Sequence, residues 1–255
     1  MKNILVVGDS FSYGQGCSDR PWNQKPYKAS PSQFAWPALL QKELPEYNII
    51  NISYPGNSIP GTFNDVVKFR ETVPQIPIHM VLMAVTSINR MIVAKAFWPD
   101  ETQNWVLGSP QPTDNPKEYA TAKEMFLKYL INDTIIENNA HRDILALYTY
   151  CQEISGSALF WSVEGVENLF RNKRGAWDII KSLNFKHMMN LEYLTEEDKR
   201  NTSIDIEFIK KWHAEDSHPS DFGHQHYFET YIKPILIPKI HEWIALQNHD
   251  YVLPG

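Results

Sequence analysis

Consecutive apolar residues mark three places in this chain. Ile4, Leu5, Val6 and Val7 form the first run, IHMVLMAV at 78–85 the second and ALFWSV at 158–163 the third. An apolar run without alternation fits a strand buried on both faces of a parallel sheet. YNIINI at 47–52 reads as a further strand between the first two. Other apolar residues recur at helical spacing. Phe34, Trp36, Leu39, Leu40 and Leu44 share one helical face, with Ser30 or Ser32 in position to cap it, and 61–72 reads as a second helix. Strand, helix, strand, helix, strand is the rhythm of a parallel sheet with right-handed crossovers, so the pattern predicts an α/β protein.

The middle of the chain is less regular. A helix is expected over 89–97, then a proline-rich loop (PQPTDNP), then a helix over 117–131. In 133–155, Ile144, Leu147, Tyr148, Cys151 and Ile154 recur at i, i+3/i+4, and the length favours a helix over the competing strand at 144–150. A short helix is expected over 177–183, and 204–212 reads as either strand or helix. Residues 213–223 read as a loop, and 225–244 as a terminal helix, starting near His224 and interrupted near Pro234 and Pro238. The reading is one domain over 1–255 with an irregular insertion around 86–140.

Composition narrows the function classes. With 255 residues, 43% hydrophobic and 21% charged, the chain suits a soluble globular domain. The net charge of −6 disfavours nucleic acid or an anionic membrane surface as a general partner. No apolar run approaches the ~18 residues of a membrane span. The two cysteines, Cys17 and Cys151, make no disulfide framework, and the chain enters its first strand at once, with no secretory leader before it. A cytoplasmic protein is the expectation.

The chemistry centres on Gly8-Asp9-Ser10, which ends the first strand at the edge where open α/β sheets place their sites. A serine hydroxyl needs a base, usually a histidine held by a third group, and donors for the oxyanion formed on attack. Gly56, after the second strand, offers a backbone N–H, and Asn89, after the third, a side-chain amide. Near the far end, AEDSHPSDFGH brings Asp216 and His218 within one loop, a carboxylate beside an imidazole. His213, His224 and His226 lack any recognised zinc spacing, and the glycines after the first strand fit neither nucleotide fingerprint, so no metal or cofactor is expected. Cys17 reads as a structural thiol.

GDSFSYG at the start, the Gly56 turn, a polar segment after the third strand and the terminal D-x-H-P together resemble the SGNH, or GDSL, hydrolases. The resemblance implies a three-layer α/β/α, flavodoxin-like parallel sheet. It also implies Ser10 as nucleophile, His218 as base, Asp216 as orienting acid, and an oxyanion hole of the Ser10 N–H, Gly56 and Asn89. Two departures stand out. The family's G-x-N-D block is replaced by VTSINR at 85–90, leaving Asn89, Ser87 and Thr86 as alternatives. Glu215, not Asp216, occupies the family's spacing before the histidine.

The leading expectation is a serine esterase acting through an acyl-enzyme on a small acyl ester, such as an O-acetyl group on a carbohydrate. Its rivals are a non-catalytic binding or structural module on the same fold, for example in a virus particle, and an acyltransferase.

Overall fold

The computed structural model describes residues 2–21, 30–85, 90–95, 98–106, 133–162, 188–190, 206–215 and 218–249. Its strands are β1 (Lys2–Val7), β2 (Tyr47–Asn51), β3 (Met80–Val85), β4 (Arg90–Lys95), β5 (Trp98–Val106), β6 (Ala158–Ser162) and β7 (Met188–Asn190). The helices are α1 (Ser10–Tyr13), α2 (Trp36–Glu43), α3 (Ile59–Thr72), α4 (Asp133–Ser155), α5 (Ile206–Trp212), α6 (Asp221–Tyr227) and α7 (Ile237–His249), with a π-helical stretch, Phe228–Leu236, joining the last two.

Five strands form one sheet in the order β2-β1-β3-β6-β7, and every pairing within it is parallel. The order reverses between β1 and β3, which creates a crevice at the carboxyl end of β1, the switch point where such sheets bind ligands.

Period-two alternation divides the strand residues between two cores. Ile4, Val6, Met80, Leu82 and Leu159 pack on Trp36, Leu40, Phe228 and Ile232, from α2 and the C-terminal helices. Leu5, Val7, Val81, Met83 and Phe160 pack on Ile59 and Val66 of α3 and on Ile144, Leu147 and Cys151 of α4. Helices thus cover both faces, giving the expected three α/β/α layers. Since a fully buried aliphatic side chain is worth about 1.5–3 kcal/mol, these two cores dominate the stability. Two of the polar tips buried among them are paired. The Trp161 indole N–H donates to Tyr227 Oη at 2.9 Å.

The four predicted strands form, as do α2, α3 and α4, while the competing strand at 144–150 does not. The open alternative at 204–212 resolves to helix α5. Two expectations are corrected. A helix over 89–97 is replaced by β4, which pairs antiparallel with β5; Ile92 and Val93 are β-branched and favour a pleated surface. The last helix begins at Asp221, not His224, because the Ser220 side chain caps it by accepting from the Gly223 N–H. The expected interruption near Pro234 takes the form of a change in helical winding. Pro234 lies in the π-helical stretch, whose wider winding moves the preceding carbonyls away from the ring, and α7 follows directly. Strand β7, three residues long, was not expected. The expected helices over 117–131 and 177–183 lie outside the described residues.

Candidate active site

Ser10 sits at the end of β1 as the first residue of α1, a single turn of helix. Asp9 caps that turn, its Oδ1 accepting from the Phe11 N–H at 3.0 Å, and Gly14 ends it in the left-handed region. The Ser10 carbonyl accepts from the N–H groups of both Gly14 and Gln15. Asp9 and Ser10 are almost wholly buried. The nucleophile candidate is therefore fixed by local hydrogen bonds on both sides.

The facing histidine comes from the other end of the chain. Beyond α5, His213 and Pro219 form an isolated β-bridge, the Ala214 N–H donates to the His218 carbonyl at 2.8 Å, and the Ser220 N–H to the Trp212 carbonyl at 2.9 Å. This closes 213–219 into a narrow loop with His218 on it. His218 Nε2 lies 2.9 Å from Ser10 Oγ, across 208 residues of sequence. In the tautomer that carries its proton on Nδ1, Nε2 accepts from the Ser10 hydroxyl. The Phe11 ring lies beside the imidazole, with centroids 5.3 Å apart.

Two further contacts hold this loop to the nucleophile side. Asp221, the first residue of α6, accepts from the Ser18 backbone N–H at 2.9 Å and from its hydroxyl at 2.6 Å. Gly16 (φ 95°) packs so closely that a Cβ there would lie 2.9 Å from His218 Cβ and 3.1 Å from Ala214 Cβ. Neither contact has a local signature in sequence. Gly16 is visible only as one glycine among three after the strand, and Ser18 and Asp221 lie 203 residues apart.

Gly56 occupies a turn after β2. Pro55 precedes it, Gly56 has φ 74°, and the Asn57 N–H returns to the Tyr54 carbonyl at 3.3 Å, the pattern of a type II turn. In that geometry the N–H of the third turn residue points away from the turn's own hydrogen bond. The Tyr54 N–H donates to the Gly8 carbonyl at 3.3 Å, which ties the turn to the end of β1. Asn57 is buried, and its side chain donates to Asp65 Oδ2 of α3 at 2.7 Å. Burial raises the Asp65 carboxyl above the ordinary range, against the lowering effects of that bond and of Lys68.

The structure thus brings Ser10 and His218 into contact and sets the Gly56 turn on the neighbouring strand end. Asp216, Asn89, Ser87 and Thr86 lie outside the described residues. Glu215 is exposed at the rim of a hollow of about 500 Å³ that Phe222 also lines. Burial raises the Cys17 thiol, so the group stays protonated and is a poor nucleophile. The other histidines diverge. His213 lies against Trp212, His226 stacks on Phe222, and His224 is fully buried, with burial lowering its pKa to about 3. Among the described residues, no helix is long and apolar enough to cross a membrane.

No family model matches the sequence, and no curated protein matches it. Solved structures do resemble it. An acetyl xylan esterase, Est2A, from the rumen bacterium Butyrivibrio proteoclasticus superposes with a TM-score of 0.55 at 11% identity, over 95% of this chain and 64% of that one. A family two carbohydrate esterase from Clostridium thermocellum, solved with cellohexaose, gives 0.52 at 11% identity, over 95% and 65%. The psychrotrophic esterase EstA from Pseudoalteromonas sp., inhibited by monoethylphosphonate, gives 0.50 at 14%, over 96% and 100%. The chain spans about two thirds of the two carbohydrate esterases and the whole of EstA. What these proteins share with it is architecture: the chain has the three-layer α/β/α fold of the SGNH, or GDSL, hydrolases.

Proposed function

We propose that the protein is a serine esterase that cleaves a small acyl ester, with an O-acetyl group on a carbohydrate as the favoured substrate. The observation that carries this reading is the 2.9 Å contact between Ser10 Oγ and His218 Nε2 at the switch point of the sheet. A nucleophile and a base drawn from opposite ends of the chain into hydrogen-bond contact form the arrangement that acyl transfer requires. The likeness of fold to esterases supports it.

In the proposed reaction Ser10 Oγ attacks the acyl carbonyl carbon while His218 Nε2 takes the hydroxyl proton. The oxyanion receives hydrogen bonds from the N–H groups of Ser10 and Gly56, with Asn89 as the third donor, each worth about 2.7–4 kcal/mol of barrier. Collapse of the tetrahedral intermediate breaks the ester C–O bond, and His218 returns its proton to the departing alcohol oxygen. Water, deprotonated by His218, then attacks the acyl-Ser10 carbonyl and releases the carboxylic acid. Asp216 orients the imidazole through Nδ1.

The test uses a fluorophosphonate probe and p-nitrophenyl acetate on the wild type and on Ser10→Ala. Labelling of Ser10 is expected, with turnover falling by at least about 10³-fold in the variant. Equal labelling and turnover in the two proteins, or none in either, would overturn the reading. Product formed only when a sugar acceptor is added would point to acyl transfer in place of hydrolysis.

A further inference from the structure

A groove of about 540 Å³ runs along α3 from the Gly56 turn and is also lined by Ile52, just past the end of β2. Its upper end is the turn proposed to bind the oxyanion, since Tyr54 and Asn57 line the groove and flank Gly56. Two rows of α3 form its wall. Asn64, Lys68 and Thr72 recur at i, i+4, i+8, and Asp65 and Phe69 form the adjacent row. The wall spans Gly61 to Val73, about 18 Å at 1.5 Å per residue.

The chemistry of this surface is mixed in a particular way. Tyr54 is 48% exposed, one of few large hydrophobic side chains left in solvent among the described residues. Ile52, Phe69 and Val73 give the groove apolar lining, and amides, a carboxylate, an ammonium and hydroxyls stand among them. Asp65 Oδ2 accepts from Asn57, so the carboxylate is held in one orientation and keeps lone pairs for a further donor. The single carboxylate and single ammonium cancel. The groove is open to solvent and its lining mixes apolar with polar groups, and its cancelling charges do not select an anion. A row of sugar rings fits it. Each ring offers an apolar C–H face to an aromatic side chain and a rim of hydroxyls that both donate and accept.

We propose that this groove is a binding subsite for a neutral oligosaccharide, with Tyr54 as stacking platform and Asn64, Asp65 and Lys68 as hydroxyl partners. The subsite extends the proposed esterase reading and rests on it for its place in catalysis. A glycan whose esterified hydroxyl reaches Ser10 lays its neighbouring rings along α3, away from the ester. Tyr54, Asn64 and Lys68 therefore act in specificity rather than in bond breaking.

Two measurements test it. In the first, Ser10→Ala protein is titrated calorimetrically with xylohexaose, cellohexaose and mannohexaose, alone and with Tyr54→Ala or Lys68→Ala added. Binding of at least one hexasaccharide, weakened about tenfold by either second substitution, is expected. No binding of any, or binding indifferent to both substitutions, overturns the subsite, and this arm needs no catalysis. In the second, kcat/KM is measured on acetylated xylo-oligosaccharide and on p-nitrophenyl acetate, and their ratio should fall about tenfold in Tyr54→Ala and in Lys68→Ala. An unchanged ratio with active enzyme overturns the subsite alone, whereas inactivity on both substrates with hexasaccharide binding intact overturns the esterase reading alone. Both side chains are exposed, so the variants should fold as the parent does.

Discussion

Gly16 and Gly56 are both held at positive φ, at 95° and 74°, one packed on His218 and the other in the turn tied to the end of β1, and their surroundings are opposite. A methyl group at Gly16 would meet His218 Cβ, Ala214 Cβ and the Pro219 carbonyl, all within 3.1 Å. At Gly56 it would meet nothing within 4 Å. One glycine lets two segments from opposite ends of the chain touch. The other lets a turn bend with open space around it. The His218 side of the site is closed by packing and the Gly56 side is open, which suits the proposed roles of base and oxyanion donor.

The largest effect should follow from filling the closed side. Gly16→Ala adds a Cβ against backbone-anchored atoms at a φ that alanine tolerates poorly, so the loop must move and take His218 with it. A displacement near 1 Å at a catalytic group is enough to lose about 10²-fold in rate. Turnover of p-nitrophenyl acetate should therefore fall by about that factor while circular dichroism shows the fold retained. Near-normal turnover would mean that the loop has slack, and the contrast with Gly56 would collapse.

The elements that build this contrast differ in how far sequence reveals them. Strands β1, β3 and β6 are legible because burial on both faces demands an unbroken apolar run, as in Ile4 to Val7. The α4 periodicity at Ile144, Leu147 and Cys151 is legible for the same reason, one face being buried. The β4–β5 pair was hidden, because the second strand, WPDETQNWV, has a polar centre and a proline that argue against a strand. Ser10 and His218 are legible as residue types matched to a reaction, and their order along the chain agrees with a known family. Their supports are not. The Ser18–Asp221 pair, with a sequence separation of 203, and the fit of Gly16 under His218 depend on where the long intervening chain runs, and no local pattern encodes that.

A smaller effect should appear in the pH dependence of stability, again on the closed side. His224 lies one turn along α6 from the His218 loop, fully buried, and neither ring nitrogen has a hydrogen-bond partner among the described residues. Burial lowers its pKa to about 3, with the nearby His218 adding to the lowering and Asp221 opposing it. Above pH 6.5 the ring is neutral in both folded and unfolded chains, and stability does not depend on it. Between pH 6.5 and 3 only the unfolded chain binds the proton, so stability falls as pH falls. Between pH 7 and 5 the loss is about 2 kcal/mol from this group. Urea unfolding at the two pH values should show that difference in the wild type relative to His224→Leu. Parallel pH profiles for the two proteins would place the ring in contact with water and open the side described as closed.

The smallest effect belongs to Gly56→Ala. An alanine at φ 74° costs about 1–2 kcal/mol of backbone strain, and here no steric clash is added to it. The Asn57 bond to Asp65 and the Tyr54 bond to Gly8 hold the turn from both sides, so the Gly56 N–H should keep its direction. Activity on p-nitrophenyl acetate should stay within about fivefold of the parent, with thermal unfolding a few degrees lower. The informative outcome is the ratio of the two alanine variants. If both glycines need only their conformation, Gly16→Ala and Gly56→Ala should lose similar activity, since their φ values are alike. A difference of an order of magnitude or more requires the second factor, the absence of space under His218. The pair therefore separates backbone conformation from packing at two positions in one site.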